Sequence, residues 1–227
     1  MELSSKDIIF DVVNTESNLE RIQNSPHRDI GDISVVYKFL ISTNESGRMT
    51  VPITNEISQK IGVTEEELFE IAYVNTKEIS NFSIKSMRDT LISTMFPFGE
   101  EPENASMIDM MLPPDDDLDL FVMTNKEMLN GSSSILYSEL LGDFADKMEC
   151  DLIILPSSIH EVIIMPDKGD RDLEGIRGMV NFINMGVVDE KDRLSNNIFG
   201  FERSSRVLKP LFNDVPSIMD PGKKPTL

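Results

Sequence analysis

The chain has 227 residues, with 40 acidic against 21 basic side chains, a formal charge of −19, one cysteine and no tryptophan. With 40% hydrophobic residues it can bury a core in one or two units, which excludes global disorder. No stretch approaches the roughly 18 to 20 apolar residues of a membrane span, because Leu152–Leu155 and Val162–Met165 each end at a proline.

In chain order, the run from Ile33 to Ile41 and the run from Met49 to Thr54 flank a turn at Gly47 and predict a β-hairpin. Pro52 has no N–H to give a ladder, so the second strand is expected at an edge or donates nothing at that point. Asn55 to Ile61 predicts a short helix stopped by Gly62. Thr64 and Glu67 form a capping box, and Leu68, Ile71, Ala72 and Ile79 carry the following helix to about Ile79. Another short helix is expected near Lys85 to Met95. From Asp89 through Asn125 there is no lysine or arginine, while acids and Pro97, Pro102, Pro113 and Pro114 accumulate, so residues 96–117 read as an acidic, proline- and methionine-rich connector.

The second half has a clearer rhythm. Leu118 to Thr124 predicts a strand and Tyr137 to Met148 a helix, with Leu140, Leu141, Phe144 and Met148 on one face. Asp151 to Leu155 and Glu161 to Met165 predict neighbouring antiparallel strands. Asp172 to Asn184 carries apolar residues at helical spacing, and Phe199 to Phe201 suits a last short strand. The order β-α-β-β-α-(β) is that of a ferredoxin-like sandwich. The expectation is therefore an α+β protein in two lobes. Residues 1–95 form the hairpin-and-helix lobe, 118–205 the second lobe, and 206–227 a mildly basic tail. Whether the lobes share one sheet or core is open at this stage.

Few chemical motifs are complete. Asp115, Asp117 and Asp119 alternate like the first ligands of a calcium loop, but Leu120 stands where that loop needs glycine and Lys126 where it needs glutamate. Only weak surface calcium is expected there, and no resident metal or cofactor. His27 and His160 are the only histidines. Ser157-Ser158-Ile159-His160-Glu161 gathers hydroxyls, an imidazole and a carboxylate, but a catalytic triad needs groups converging across the fold, and no Gly-x-Ser-x-Gly elbow is present. A metal held by His27, His160 and Glu161 or Asp29 requires the two halves to meet in space. Seven of the 14 methionines lie between residues 87 and 128, and Met107 to Leu112 is considered as an adaptable contact surface or a segment packed on its own domain.

Several stretches carry a family likeness: Pro26-His27-Arg28-Asp29 before the Ile33–Ile41 strand, Thr124-Asn125-Lys126, the run from Gly131 to Tyr137, and above all Leu155-Pro156-Ser157-Ser158-Ile159-His160-Glu161-Val162. Over roughly residues 20 to 200 the chain resembles an uncharacterised bacterial family, the domain of unknown function numbered 5688, seen mainly in gut-associated Gram-positive anaerobes. The resemblance implies no known activity, catalytic residue or cofactor.

The resulting expectation is a non-enzymatic binding or regulatory protein of the cytoplasm. The start Met1 to Lys6 lacks the apolar stretch of a cleavable signal, and Cys150 alone cannot form an internal disulfide. The enzyme alternative is a hydrolase centred on His160, Glu161 and His27. The charge disfavours direct binding to nucleic acid or membrane, and it suits a basic partner, such as a nucleic-acid-binding protein.

Overall fold

The computed structural model describes residues 4–44, 47–96 and 119–213 and places them in two antiparallel sheets with six α-helices among these residues. The first sheet consists of β1 (Ile8–Asn14), β2 (His27–Ile30), β3 (Ile33–Asn44) and β4 (Gly47–Pro52); β1 runs along one side of β3, and β2 and β4 also pair with β3. The second is built from β5 (Ser83–Ser86), β6 (Phe121–Thr124), β7 (Asp151–Leu155), β8 (Val162–Asp167), β9 (Phe199–Glu202) and β10 (Val207–Pro210), in the order β10-β9-β7-β8-β6-β5.

The helices are α1 (Leu19–Gln23), α2 (Asn55–Ile61), α3 (Glu65–Ser80), α4 (Met87–Met95), α5 (Ser138–Met148) and α6 (Leu173–Gly186). Local chemistry sets several of their ends. Gly62 takes a φ of 70° and closes α2 in the left-handed conformation that glycine adopts without strain. At α3, the Thr64 hydroxyl accepts from the Glu67 N–H at 3.3 Å while the Thr64 N–H donates to Glu67 Oε2 at 2.8 Å, the reciprocal box read from the sequence. None of the helices formed by the described residues is long and apolar enough to cross a membrane.

The period of two along each strand decides what lies where. On β1 and β3 the paired residues Ile8 with Phe39, Phe10 with Tyr37, and Val12 with Val35 share one face. That face packs with Leu68 and Ala72 of α3, with Leu141 and Phe144 of α5, and with Leu152, Ile154 and Ile164 of the second sheet. The alternate residues Ile153, Leu155 and Met165 point to the other side of the second sheet and form a smaller core with Val180 of α6. The second sheet is thus filled on both faces.

The two halves of the chain share both a core and a sheet. β5 belongs to the first half in sequence yet pairs with β6, as the edge strand of the second sheet. The expected β-α-β-β-α-β order of the second half is present, and β7 and β8 are antiparallel neighbours. The strand arrangement is its own: β6 lies outside β8, and β7 lies between β8 and β9. A ferredoxin-like sheet instead sets its first strand centrally. Val207–Pro210, in the segment read as a tail, extends the sheet as β10.

Candidate functional site

A dense polar cluster lies where the connection between β7 and β8 meets two other loops. After β6, Asn125 closes the first loop on itself: its Oδ1 accepts from Leu129 N–H at 3.1 Å and its Nδ2 donates to the Leu129 carbonyl at 2.7 Å. Asn130 then takes a φ of 53°, which an asparagine tolerates. Gly131 follows with no room for a side chain. An added Cβ would sit 2.2 Å from Thr124 Oγ1 and 2.6 Å from the His160 carbonyl oxygen.

That close approach is what fastens the loops together. Gly131 N–H and Thr124 Oγ1 both donate to the His160 carbonyl, at 3.0 and 2.8 Å. Ser132 donates from its N–H and its hydroxyl to the Ile159 carbonyl, at 3.2 and 2.6 Å. On the other side, Ile159 N–H donates to the Asp192 carbonyl at 2.9 Å, and Leu194 N–H donates to the Ser157 carbonyl at 2.9 Å.

The His160 side chain completes the junction. Its Nδ1 accepts from the Asn130 N–H at 3.4 Å, which places the ring proton on Nε2, 3.6 Å from the Asp192 carboxylate. Ser158 Oγ accepts from the His160 N–H at 3.0 Å. Burial pushes the Glu161 carboxyl above its ordinary range, with His160 and Ser158 acting in the opposite direction. Beside this group, Asn130 Nδ2 reaches Asp11 Oδ2 at 3.5 Å, and Asp11 is ion-paired with Lys38; their side chains are only 13% and 14% exposed.

A histidine that works as a general base turns one nitrogen to an orienting acid and the other to the proton it removes. In His160 the first nitrogen faces Asp192 and the second is capped by a backbone N–H. The arrangement can hold three loops in register.

His27 is elsewhere. It lies on β2 and lines an open cleft of about 480 Å³ with Gln23, Ser25, Asn55, Gln59 and Glu65, none of which contacts His160 in any hydrogen bond or ion pair given by the described residues. Its Nδ1 donates to the Ser25 carbonyl at 2.9 Å, the only role a carbonyl partner allows. Glu65 at the cleft wall is held by the Arg28 guanidinium at 3.0 and 3.2 Å and by the Tyr37 hydroxyl. Burial, with Glu65 alongside, holds the Tyr37 phenol far above its ordinary range. The structure therefore brings His160, Glu161 and Asp192 together and leaves His27 with a separate set of neighbours. Asp29 accepts from the Ser34 hydroxyl at 2.6 Å.

Asp115, Asp117 and the Met107–Leu112 surface lie outside the described residues. Asp119 is bound to Lys168 at 2.8 Å and to Arg171 at 3.3 Å, so two cations already occupy the carboxylate proposed as a calcium ligand. Among the described residues no group of three or more His, Cys, Asp or Glu side chains is placed to hold a metal ion. Sequence reasoning named His160 and Glu161 but missed Asn130, Asp192 and the Asp11–Lys38 pair. The Asn130-Gly131 dipeptide was the available signal, since it marks a turn that needs a positive φ.

The model of a family of unknown function, DUF5688, matches residues 1–203, and the chain belongs to that family. Neither the curated proteins nor the solved structures contain a match to the chain.

Proposed function

We propose that this chain is a non-enzymatic binding or regulatory protein in which the His160 cluster is a structural clamp. The observation that supports the reading is that His160 Nδ1 accepts from the Asn130 N–H while Nε2 faces the Asp192 carboxylate at 3.6 Å, and Ser158 Oγ accepts from the His160 N–H. A reducing, cytoplasmic setting suits Cys150, whose thiol is held up by burial and so kept in its less reactive form. The test compares the wild type with His160→Gln on a panel of activated esters and amides and in thermal unfolding. The clamp reading expects equal background hydrolysis and a lower unfolding temperature for the variant. Turnover by the wild type that His160→Gln abolishes would establish the hydrolase alternative instead.

The charge supports a second element of the reading, a basic partner. With 40 acids against 21 lysines and arginines, a large excess of negative charge remains even where cations such as Arg28, Lys168 and Arg203 are ion-paired. A field of that sign steers a positively charged protein and repels nucleic acid itself. Capture from a host lysate at low and at high salt tests it: a basic protein retained only at low salt supports the idea, and the lack of any salt-sensitive partner removes it.

A further inference from the structure

Helix α6 covers the second sheet with Val180 and Asn184, which are 3% and 1% exposed, and turns an uncharged stripe outward. Phe182 stands at the middle of that stripe, 78% exposed, with Met179 and Met185 beside it at 46% and 59%. Gly178 and Gly186 share the stripe. At 3.6 residues per turn all four neighbours fall within roughly 60° of Phe182 around the helix axis.

Glycine is a poor helix former, so one inside a helix needs a reason. Gly175 has one, because a Cβ there would meet the capping carboxylate of Asp172 at 2.5 Å. Gly178 has none among the described residues: a Cβ would have nothing within 4 Å there, and its φ is not positive. Gly186, the last residue of the helix, likewise leaves open space where its Cβ would be, among the described residues. Two hollows thus flank an exposed aromatic ring.

The stripe is symmetric about that ring. Reading outward from Phe182, a methionine comes three residues away and a glycine four residues away in both directions: Gly178-Met179 before it and Met185-Gly186 after it. A twofold axis through Phe182 sets two such helices antiparallel, with Phe182 against its own copy, Met179 of one chain against Met185 of the other, and the glycines where the backbones approach most closely. Self-complementarity of this kind is what a twofold interface requires. We infer that the outward face of α6 is a self-association surface and that its occupant is a second copy of this chain, in an antiparallel α6–α6 pair.

The area sets the strength. Phe182, Met179 and Met185 expose on the order of 400 Å² per copy, so the stripe contributes at most on the order of 800 Å² to the pair, the size of a weak, transient interface. A weak, reversible dimer follows. Each copy carries −19, so the pair forms against repulsion that salt screens; association strengthens as salt rises, the reverse of what a basic partner would show.

Sedimentation equilibrium of the full chain, from about 1 to about 300 µM at two salt concentrations, tests the inference across the expected range. The wild type is expected to pass from monomer to dimer, more completely at the higher salt. Phe182→Asp should weaken the dimer by at least about tenfold without lowering the monomer's unfolding temperature, because the side chain is solvent-exposed. Gly178→Ala should weaken the dimer while raising the monomer's unfolding temperature, a combination that a glycine without a contact role would not give. A wild type that stays monomeric throughout, or a dimer that Phe182→Asp leaves intact, overturns the inference. So does a different protein from the host that binds a monomeric wild type and is lost with Phe182→Asp.

Discussion

Asn14, at the end of β1, donates from Nδ2 to the carbonyl of Leu194, 180 residues further along the chain, at 3.0 Å. The bond is buried, and it ties the first strand of one sheet to the approach of β9 in the other. With the core that runs from Ile8 to Phe201, it makes the two halves one cooperative unit. Far-ultraviolet and tyrosine near-ultraviolet signals are expected to lose structure in a single coincident transition. Asn14→Ala should move that transition by about 1–2 kcal/mol without splitting it.

The tightest approach in the clamp is at Gly131. In Gly131→Ala the new methyl meets a backbone carbonyl and a backbone nitrogen as well as Thr124 Oγ1, so the loop must shift, at a cost of about 3 kcal/mol or more. Gly62→Ala is the control. Its Cβ enters open space and costs only the left-handed backbone, about 1–2 kcal/mol. Urea titration of both variants checks the ranking.

Lys38 and Asp11 are buried together, so removing one partner leaves a charge without its counterion. Lys38→Met is expected to destabilise the fold by about 3 kcal/mol. The double replacement Asp11→Leu with Lys38→Met should recover much of that loss, because an apolar pair needs no counterion. A double-mutant cycle in urea measures the coupling.

Glu161 makes the stability depend on pH. Burial raises its folded pKa above the ordinary 4.5, so the folded state binds the proton more tightly than the unfolded chain. The stability from the protonated carboxyl is complete below the ordinary value and is lost as pH rises through the raised one. Glu161→Gln keeps a neutral, hydrogen-bonding side chain at every pH. It should be more stable than the wild type at about pH 8, with the difference vanishing towards about pH 4. Unfolding followed across that range checks both the sign and the window.

What could be read in advance follows from how local each signal is. The Ile33–Ile41 hairpin, the Thr64–Glu67 box and the β7–β8 pair each arise within a short stretch, and all three are present. β1 was not foreseen. Ile8–Val13 is almost entirely buried, with Ile9 and Asp11 covered as well as Phe10, so the alternation that identifies a strand is missing. β10 does not stand out in the sequence, because Val207–Pro210 has few apolar residues and depends on β9 lying beside it. At the site, His160 and Glu161 are adjacent in sequence, but Asn130 and Asp192 are each about 30 residues away on irregular loops, and no periodicity connects them.

How His160 is held distinguishes a clamp from a base, and with only two histidines in the chain its tautomer can be read directly by long-range proton–nitrogen correlation of the imidazoles near neutral pH. The hydrogen bonds assign the two rings opposite forms. His27, donating to the Ser25 carbonyl, should carry its proton on Nδ1; His160, accepting from the Asn130 N–H, should carry it on Nε2 towards Asp192. That pair of signals is the result predicted. A neutral His160 protonated on Nδ1 would set a donor against the Asn130 N–H and leave Nε2 free as a base, and it would contradict the clamp.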